Sequence, residues 1–256
     1  MILALDVGNT NIKCGIFEGD KMLHAWRVAT NRVSTSDEYG ITFVDLFRYN
    51  DITPSQIKGA IFASVVPGIN YTIEHMITDF FPVKPLQVGP GMKTGLAIKY
   101  DNPKELGADR LASAVGALSL YGGPLIVIDF GTATTFGAIA RDGTLLGGCI
   151  APGIKVASEA LVDRTAKLMK VELNKPESII GKSTVTGLQA GIIYGYIGQV
   201  EYIIRRIRRE MGEPDAKVVA TGGLANLIAA ESKAIEIINP ELTLVGLNLL
   251  YAKNRG

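Results

Sequence analysis

The sequence is poor in the side chains that build disulfide frameworks, zinc sites and histidine-dependent hydrolases. Its 256 residues include two cysteines, two histidines and one tryptophan. Cys14 and Cys149 lie far apart in apolar, strand-like surroundings, so neither a disulfide framework nor a zinc site is expected, and a reducing compartment is the default. His24 and His75 are the only bases for a Ser-His-Asp triad, and no Gly-x-Ser-x-Gly elbow accompanies them. Charge of one sign is also missing: 26 Lys+Arg stand against 25 Asp+Glu. That balance lacks the clustered basic excess of a nucleic-acid footprint. No apolar run is long enough to span a bilayer. The N-terminal run Met1-Ile2-Leu3-Ala4-Leu5 meets Asp6 too early for a signal peptide and has no basic leader, so a cytoplasmic protein is expected. No Gly-x-Gly-x-x-Gly follows the first strand, which disfavours a dinucleotide fold. Gly181-Lys182-Ser183-Thr184 imitates the end of a P-loop. The first glycine of that motif is replaced by Pro176, however, and no apolar strand precedes it.

What is present is a repeated pattern of short apolar runs. Ile2–Val7, Ile12–Phe17 and Lys21–Ala29 read as strands, with a hairpin turn at Glu18-Gly19-Asp20. Ser36 is expected to cap a helix through Tyr39, Phe43, Leu46 and Phe47. A strand over 59–65 follows, and Pro67 opens a helix towards Phe81. The order β-β-β-α-β-α predicts a mixed sheet with helices packed against it. Leu125-Ile126-Val127-Ile128-Asp129-Phe130-Gly131 then echoes Leu3-Ala4-Leu5-Asp6-Val7-Gly8. Each copy runs through small hydroxyl or amide residues into a second strand, an acidic-glycine turn (Gly19-Asp20, Asp142-Gly143) and a third strand. Two related α/β subdomains are expected, over 1–118 and 119–256, with a cleft between them.

The later segments read as a helix over 154–165, a long helix over 185–211, and a strand over 217–220 joined to another helix by Thr221-Gly222-Gly223. Gly187, Gly191, Gly195 and Gly198 recur near every fourth residue of the long helix. Small residues at that spacing fit close packing within the subunit or a contact between subunits.

Chemistry concentrates in three places. In Asp6-Val7-Gly8-Asn9-Thr10-Asn11-Ile12-Lys13, an acid at a strand end suits a divalent metal. Gly8 allows close backbone approach to an anion, and Asn9, Thr10 and Lys13 are phosphate donors. A tight hairpin with turn-favouring residues is the plainer explanation of the same stretch. Asp129-Phe130-Gly131-Thr132-Ala133-Thr134-Thr135 repeats the pattern with a cluster of hydroxyls, and Thr132 and Thr134 are expected on one strand face. A bare hairpin does not explain paired acids, whereas two hairpins gripping a metal-bound polyphosphate would. Gly107-Ala108-Asp109-Arg110 opens an apolar helix. Asp109 fits either a stabilising first-turn acid or an acceptor of a hydroxyl proton, with Arg110 suited to a substrate carboxylate. Gly147-Gly148 through Pro152-Gly153 and the Gly222-Gly223 junction fit close strand-to-helix turns or a flat base or phosphate against backbone.

These motifs together resemble the type III pantothenate kinases, also called the Bvg accessory factor family, in the superfamily of actin, sugar kinases, acetate kinase and heat-shock chaperone ATPases. The paired hairpins are general to that superfamily, and Gly107-Ala108-Asp109-Arg110 narrows the match. The resemblance implies two ribonuclease H-like (actin-like ATPase) subdomains and ATP-dependent phosphorylation of the primary hydroxyl of pantothenate. It implies ATP binding by Asp6, Gly8, Asn9, Thr10, Lys13 and Thr132, and pantothenate binding by Tyr100, Gly107, Ala108, Asp109, Arg110 and Thr184. Asp109 would accept the proton. Asp129 would serve a monovalent cation, K+ or NH4+, needed beside Mg2+. Family members are homodimers with the substrate site near the interface. The alternatives are another ATP-dependent enzyme of the superfamily, a nucleotide-binding regulatory protein, and an inactive homologue. The intact Asp6, Asp109 and Asp129 argue against the last.

Overall fold

The computed structural model describes residues 1–255, and its contacts divide the chain into two compact units. One holds residues 1–96, 100–120 and 241 onward; the other holds 97–99 and 121–240.

The first unit is built on a five-stranded sheet of order β3-β2-β1-β4-β5. Its strands are β1 (Ile2–Val7), β2 (Asn11–Glu18), β3 (Lys21–Ala29), β4 (Gly59–Ser64) and β5 (Pro85–Gln87). β1, β2 and β3 form an antiparallel meander, and β4 and β5 add in parallel on the far side of β1. Alternation along the strands sends Leu3, Leu5 and Val7 of β1 and Ile12, Cys14 and Ile16 of β2 to one face. There they join a core with Tyr39, Phe43 and Phe47 of α1 (Ser36–Arg48) and Ile73, Met76 and Ile77 of α2 (Asn70–Phe80). Burial holds the Cys14 thiol far above its ordinary pKa, so it is an apolar core side chain and not a nucleophile.

α3 (Ala108–Tyr121) and α7 (Leu242–Asn254) approach closely. A Cβ at Gly246 would overlap the Ala112 carbonyl, and one at Gly116 would crowd the Leu242 carbonyl oxygen. α7 packs on β1, β2 and β4, with Leu244 against Gly15. The final helix, expected with the second half, therefore belongs with the first sheet.

The second unit repeats the connectivity. Its strands are β6 (Leu125–Phe130), β7 (Ala133–Ile139), β8 (Leu145–Pro152), β9 (Lys217–Thr221) and β10 (Ile237–Ile238), in the order β10-β9-β6-β7-β8. Again the first three strands are an antiparallel meander and the last two are parallel additions. Ile126, Ile128 and Phe130 of β6 meet Ile193, Ile197, Val200 and Ile204 of α5 (Thr184–Met211) and Ile228 of α6 (Ala225–Ala229). α4 (Ile154–Asp163) follows β8 directly. The sequence echo between the halves is thus an echo of topology.

Several element ends differ from expectation for local reasons. Thr35, not Ser36, caps α1. Its hydroxyl accepts from Glu38 N at 3.2 Å while the Glu38 carboxylate accepts from Thr35 N at 2.7 Å, a reciprocal box that needs the acid three residues on. Pro67 opens a 3-10 turn ending at Ile69, and α2 begins only at Asn70. Ser183 caps α5 through Thr186 N, and Gly212 ends it at φ +67°. Among the described residues no helix is long and apolar enough to cross a membrane.

Candidate functional site

In the first unit, Asp6 on β1 and Lys13 on β2 are register partners, on the face opposite the apolar core. Lys13 Nζ lies 3.6 Å from Asp6 Oδ2, and Asp6 is only 8% exposed. The turn between them closes through Gly8 N–H donating to Asn11 O at 3.1 Å. A Cβ at Gly8 would press on that same oxygen at 3.0 Å, so the smallest residue suits the position. Asn9 and Thr10 stand exposed at the tip. The result is a fixed loop with polar donors outward and a charge pair at its base.

The residues following β3 brace this loop, which the motif analysis missed. Thr30 donates its hydroxyl to Gly8 O (2.6 Å) and its N–H to Thr10 O (3.0 Å). Arg32 Nη2 donates to Asn9 Oδ1 at 2.9 Å. The signal was available in the meander itself. If β3 runs antiparallel to β2 with Ala29 opposite Asn11, the next residues must pass the turn.

In the second unit Asp129 pairs in register with Thr135, and Gly131 N–H donates to Ala133 O at 3.1 Å, the counterpart of the Gly8 bond. Gly131 and Thr132 are exposed. Thr132 and Thr134 do not share a face as expected. Thr132 precedes β7, while Thr134 is 2% exposed and hydrogen-bonded to the Tyr196 hydroxyl. Tyr196 donates its single proton to Pro152 O at 2.9 Å, so Thr134 is the donor in the pair. Burial raises the Tyr196 pKa, which keeps the phenol protonated at neutral pH.

The glycine-rich junctions serve this hairpin. A Cβ at Gly153 would overlap the Gly131 and Thr132 carbonyls, and Gly153 N–H donates to Thr132 O at 3.0 Å. Gly222, at φ +95°, leaves room for the Asp129 carboxylate, which a side chain there would displace. Both glycines admit a neighbouring piece of the chain.

A separate cluster in the first unit lies at the start of α3. Arg110 Nη2 donates to the Tyr100 hydroxyl at 2.8 Å, with the guanidinium 5.9 Å from the ring centroid. Arg110 N–H donates to Asp109 Oδ1 at 2.7 Å. A Cβ at Gly107 would stand 2.6 Å from that oxygen, so glycine here makes room for the carboxylate. Ala108 begins the helix, and Leu111 N–H donates to Gly107 O at 3.0 Å. Asp109 thus satisfies a helix-start amide, as its plainer explanation requires, and precedes in the chain the arginine that holds Tyr100.

Thr184 is the exposed first residue of α5 and lines a cavity of about 690 Å³ between α4 and α5. Gly187, Gly191 and Gly195 line the same cavity, and a Cβ at any of them would touch nothing within 4 Å. Close packing inside the chain therefore does not explain the glycine stripe. The P-loop imitation dissolves as well: no strand precedes Gly181, and Ser183 is a helix cap.

No group of three or more His, Cys, Asp or Glu able to hold a metal occurs among the described residues. Mg2+ commonly needs only one or two carboxylates when a polyphosphate supplies the remaining oxygens, and Asp6 fits that lighter role.

A family model described as type III pantothenate kinase matches residues 2–206. Among solved structures, a Campylobacter jejuni protein provisionally described as a Baf family transcriptional activator superposes with a TM-score of 0.62 at 16% identity, over 98% of each chain. An inorganic polyphosphate/ATP-glucomannokinase from Arthrobacter sp. strain KM gives 0.51 at 15% identity, over 99% of each chain. An activator of 2-hydroxyisocaproyl-CoA dehydratase from Clostridium difficile, solved with ADPNP bound, gives 0.53 at 14% identity, over 99% of this chain and 94% of that one. At these identities the structural likeness speaks to the fold alone. It agrees with two α/β subdomains of the actin-like ATPase and sugar kinase type.

Tyr196→Phe should lower the unfolding free energy by about 1–3 kcal/mol in urea titration, because it strips a partner from buried Thr134 and from Pro152 O. An unchanged midpoint and slope would mean that the hydroxyl is not a clamp.

Proposed function

The chain belongs to the type III pantothenate kinase family, and from that premise we propose that it transfers the γ-phosphoryl group of ATP to the primary hydroxyl of pantothenate. The product is 4'-phosphopantothenate, in the first step of coenzyme A biosynthesis, and the reaction takes place in the cytoplasm. Family membership makes the protein an ATP-dependent phosphotransferase; the particular acceptor and the residue roles are our reading.

The observation that carries this reading is the Gly107–Arg110 turn with Tyr100. A kinase needs one acceptor for the hydroxyl proton and otherwise relies on positioning and charge neutralisation. Asp109 Oδ1 is engaged by the Arg110 amide, which leaves Oδ2 as the proton-accepting oxygen. As Asp109 takes the proton, the hydroxyl oxygen attacks the γ-phosphorus in line, the bond to the β-phosphate oxygen breaks, and ADP leaves. Arg110 holds the pantothenate carboxylate, with its guanidinium oriented by Tyr100. Gly107 and Ala108 complete the acceptor contacts of this turn.

The ATP phosphates are bound by the Asp6–Lys13 hairpin through Gly8, Asn9, Thr10 and Lys13. Asp6 would hold the Mg2+ that accompanies ATP, which when bound would supply charge neutralisation at the phosphates. Asp129 serves a monovalent cation, K+ or NH4+. Its carboxylate lies where a side chain at Gly222 would collide with it, and a carboxylate oxygen would coordinate K+ or accept hydrogen bonds from NH4+.

We also propose a homodimer through the α4–α5 face. Glycines facing open space, with Val156 and Leu161 exposed beside them, favour a second copy over packing within one chain. Light scattering should return twice the 27.3 kDa chain mass, and a single-chain mass at micromolar concentration would remove the dimer.

Asp109→Asn should lower kcat by about 10²–10⁴-fold while calorimetric ATP binding persists, because it removes only the base. Near-normal turnover in that variant would take Asp109 out of its role.

A further inference from the structure

Arg32 lies outside every motif of the sequence, yet the chain around it is fixed on both sides. Thr30 is bonded to Gly8 O and Thr10 O. Asn31 N–H donates to the Tyr39 hydroxyl at 2.8 Å, and that hydroxyl donates back to Asn31 O at 2.9 Å. Tyr39 is 3% exposed and belongs to the core. On the other side, Val33 N–H donates to Asn31 Oδ1 at 3.2 Å, and Thr35 begins the capping box of α1. An exposed arginine is thus carried on a backbone anchored to the core, and its Nη2 reaches Asn9 Oδ1 at 2.9 Å.

That bond has a directional consequence. A guanidinium has only donors, so the Asn9 carboxamide must turn its oxygen towards Arg32, and its two N–H donors then point the other way. A carboxamide without such a partner turns either end outward, and the oxygen end repels a phosphate. The bond adds little to holding the loop, which the Gly8–Asn11 and Thr30 bonds already close. What it fixes is which end of Asn9 faces outward.

We propose that Arg32 is a positioning residue for the nucleotide, holding the Asn9 carboxamide so that its N–H donors face the ATP phosphates. This rests on the reading of the Asp6–Lys13 hairpin as the ATP-binding element. Arg32 acts through Asn9, so its effect exists only while Asn9 is present.

The test is a double-mutant cycle on the full-length protein, with KM for ATP, kcat, KM for pantothenate and melting temperature measured for each variant. Arg32→Ala should raise KM for ATP about tenfold, with much smaller changes in the other three, as loss of one oriented charged hydrogen bond predicts. Arg32→Lys, which keeps a donor, should recover part of the loss. Asn9→Ala should raise KM for ATP similarly, and adding Arg32→Ala to it should change nothing further. Asn9→Asp keeps an oxygen for Arg32 but has no donor, and should be at least as damaging as Asn9→Ala. An Arg32→Ala penalty that persists undiminished in the Asn9→Ala background would overturn the proposal, since Arg32 would then act on the nucleotide directly. Unchanged KM for ATP in Arg32→Ala or in Asn9→Ala would overturn it too, while leaving the kinase reading in place. Failure of the unmutated protein to bind or use ATP would sink the kinase reading first and this proposal with it.

Discussion

Two carboxylates placed at the ends of central strands set the terms for the rest of this molecule. Asp6 and Asp129 each lie on the first strand of a five-stranded sheet, flanked by an antiparallel hairpin partner on one side and a parallel strand on the other. The apolar residues alternating with them are locked into a core, so the strand cannot slip by one residue without turning its core face outward. The acids are thereby held to a fixed position by hydrophobic packing many residues away.

The glycines make sense around the same constraint. Gly107 and Gly222 each make room for a carboxylate oxygen, of Asp109 and Asp129, and Gly153 makes room for the carbonyls of the second hairpin. Several of the conspicuous glycines thus permit close approach between parts of the protein. The α5 glycines are different, because they face open space and line a cavity instead of a neighbouring helix. The close helix contact the sequence pattern evokes is made elsewhere, by Gly116 and Gly246 between α3 and α7.

Much of this was legible in residue order. The Asp-x-Gly echo at Asp6 and Asp129 correctly indicated a duplicated sheet, since an apolar strand ending in an acid and a turn is a local signal. Less local features were not legible. The α1 cap, by contrast, is local and was placed one residue late at Ser36, although Thr35-x-x-Glu38 carries the capping-box pattern in the sequence. Thr134 was expected to share a strand face with Thr132, but its partner Tyr196 lies 62 residues on. Membership of the last helix was invisible because α7 reaches the first sheet only through tertiary packing on β1, β2 and β4. Arg32 was missed because strand register, and not a motif of its own, brings it to Asn9.

On the reading proposed above, these acids and donors serve one reaction, phosphoryl transfer from ATP to pantothenate. The most direct measurement is ADP release by the unmutated protein with ATP and Mg2+, with and without pantothenate, in potassium and then in sodium buffer. The account predicts turnover that requires pantothenate and is stimulated by potassium. ATP binding with no pantothenate-dependent ADP release in either buffer would contradict it.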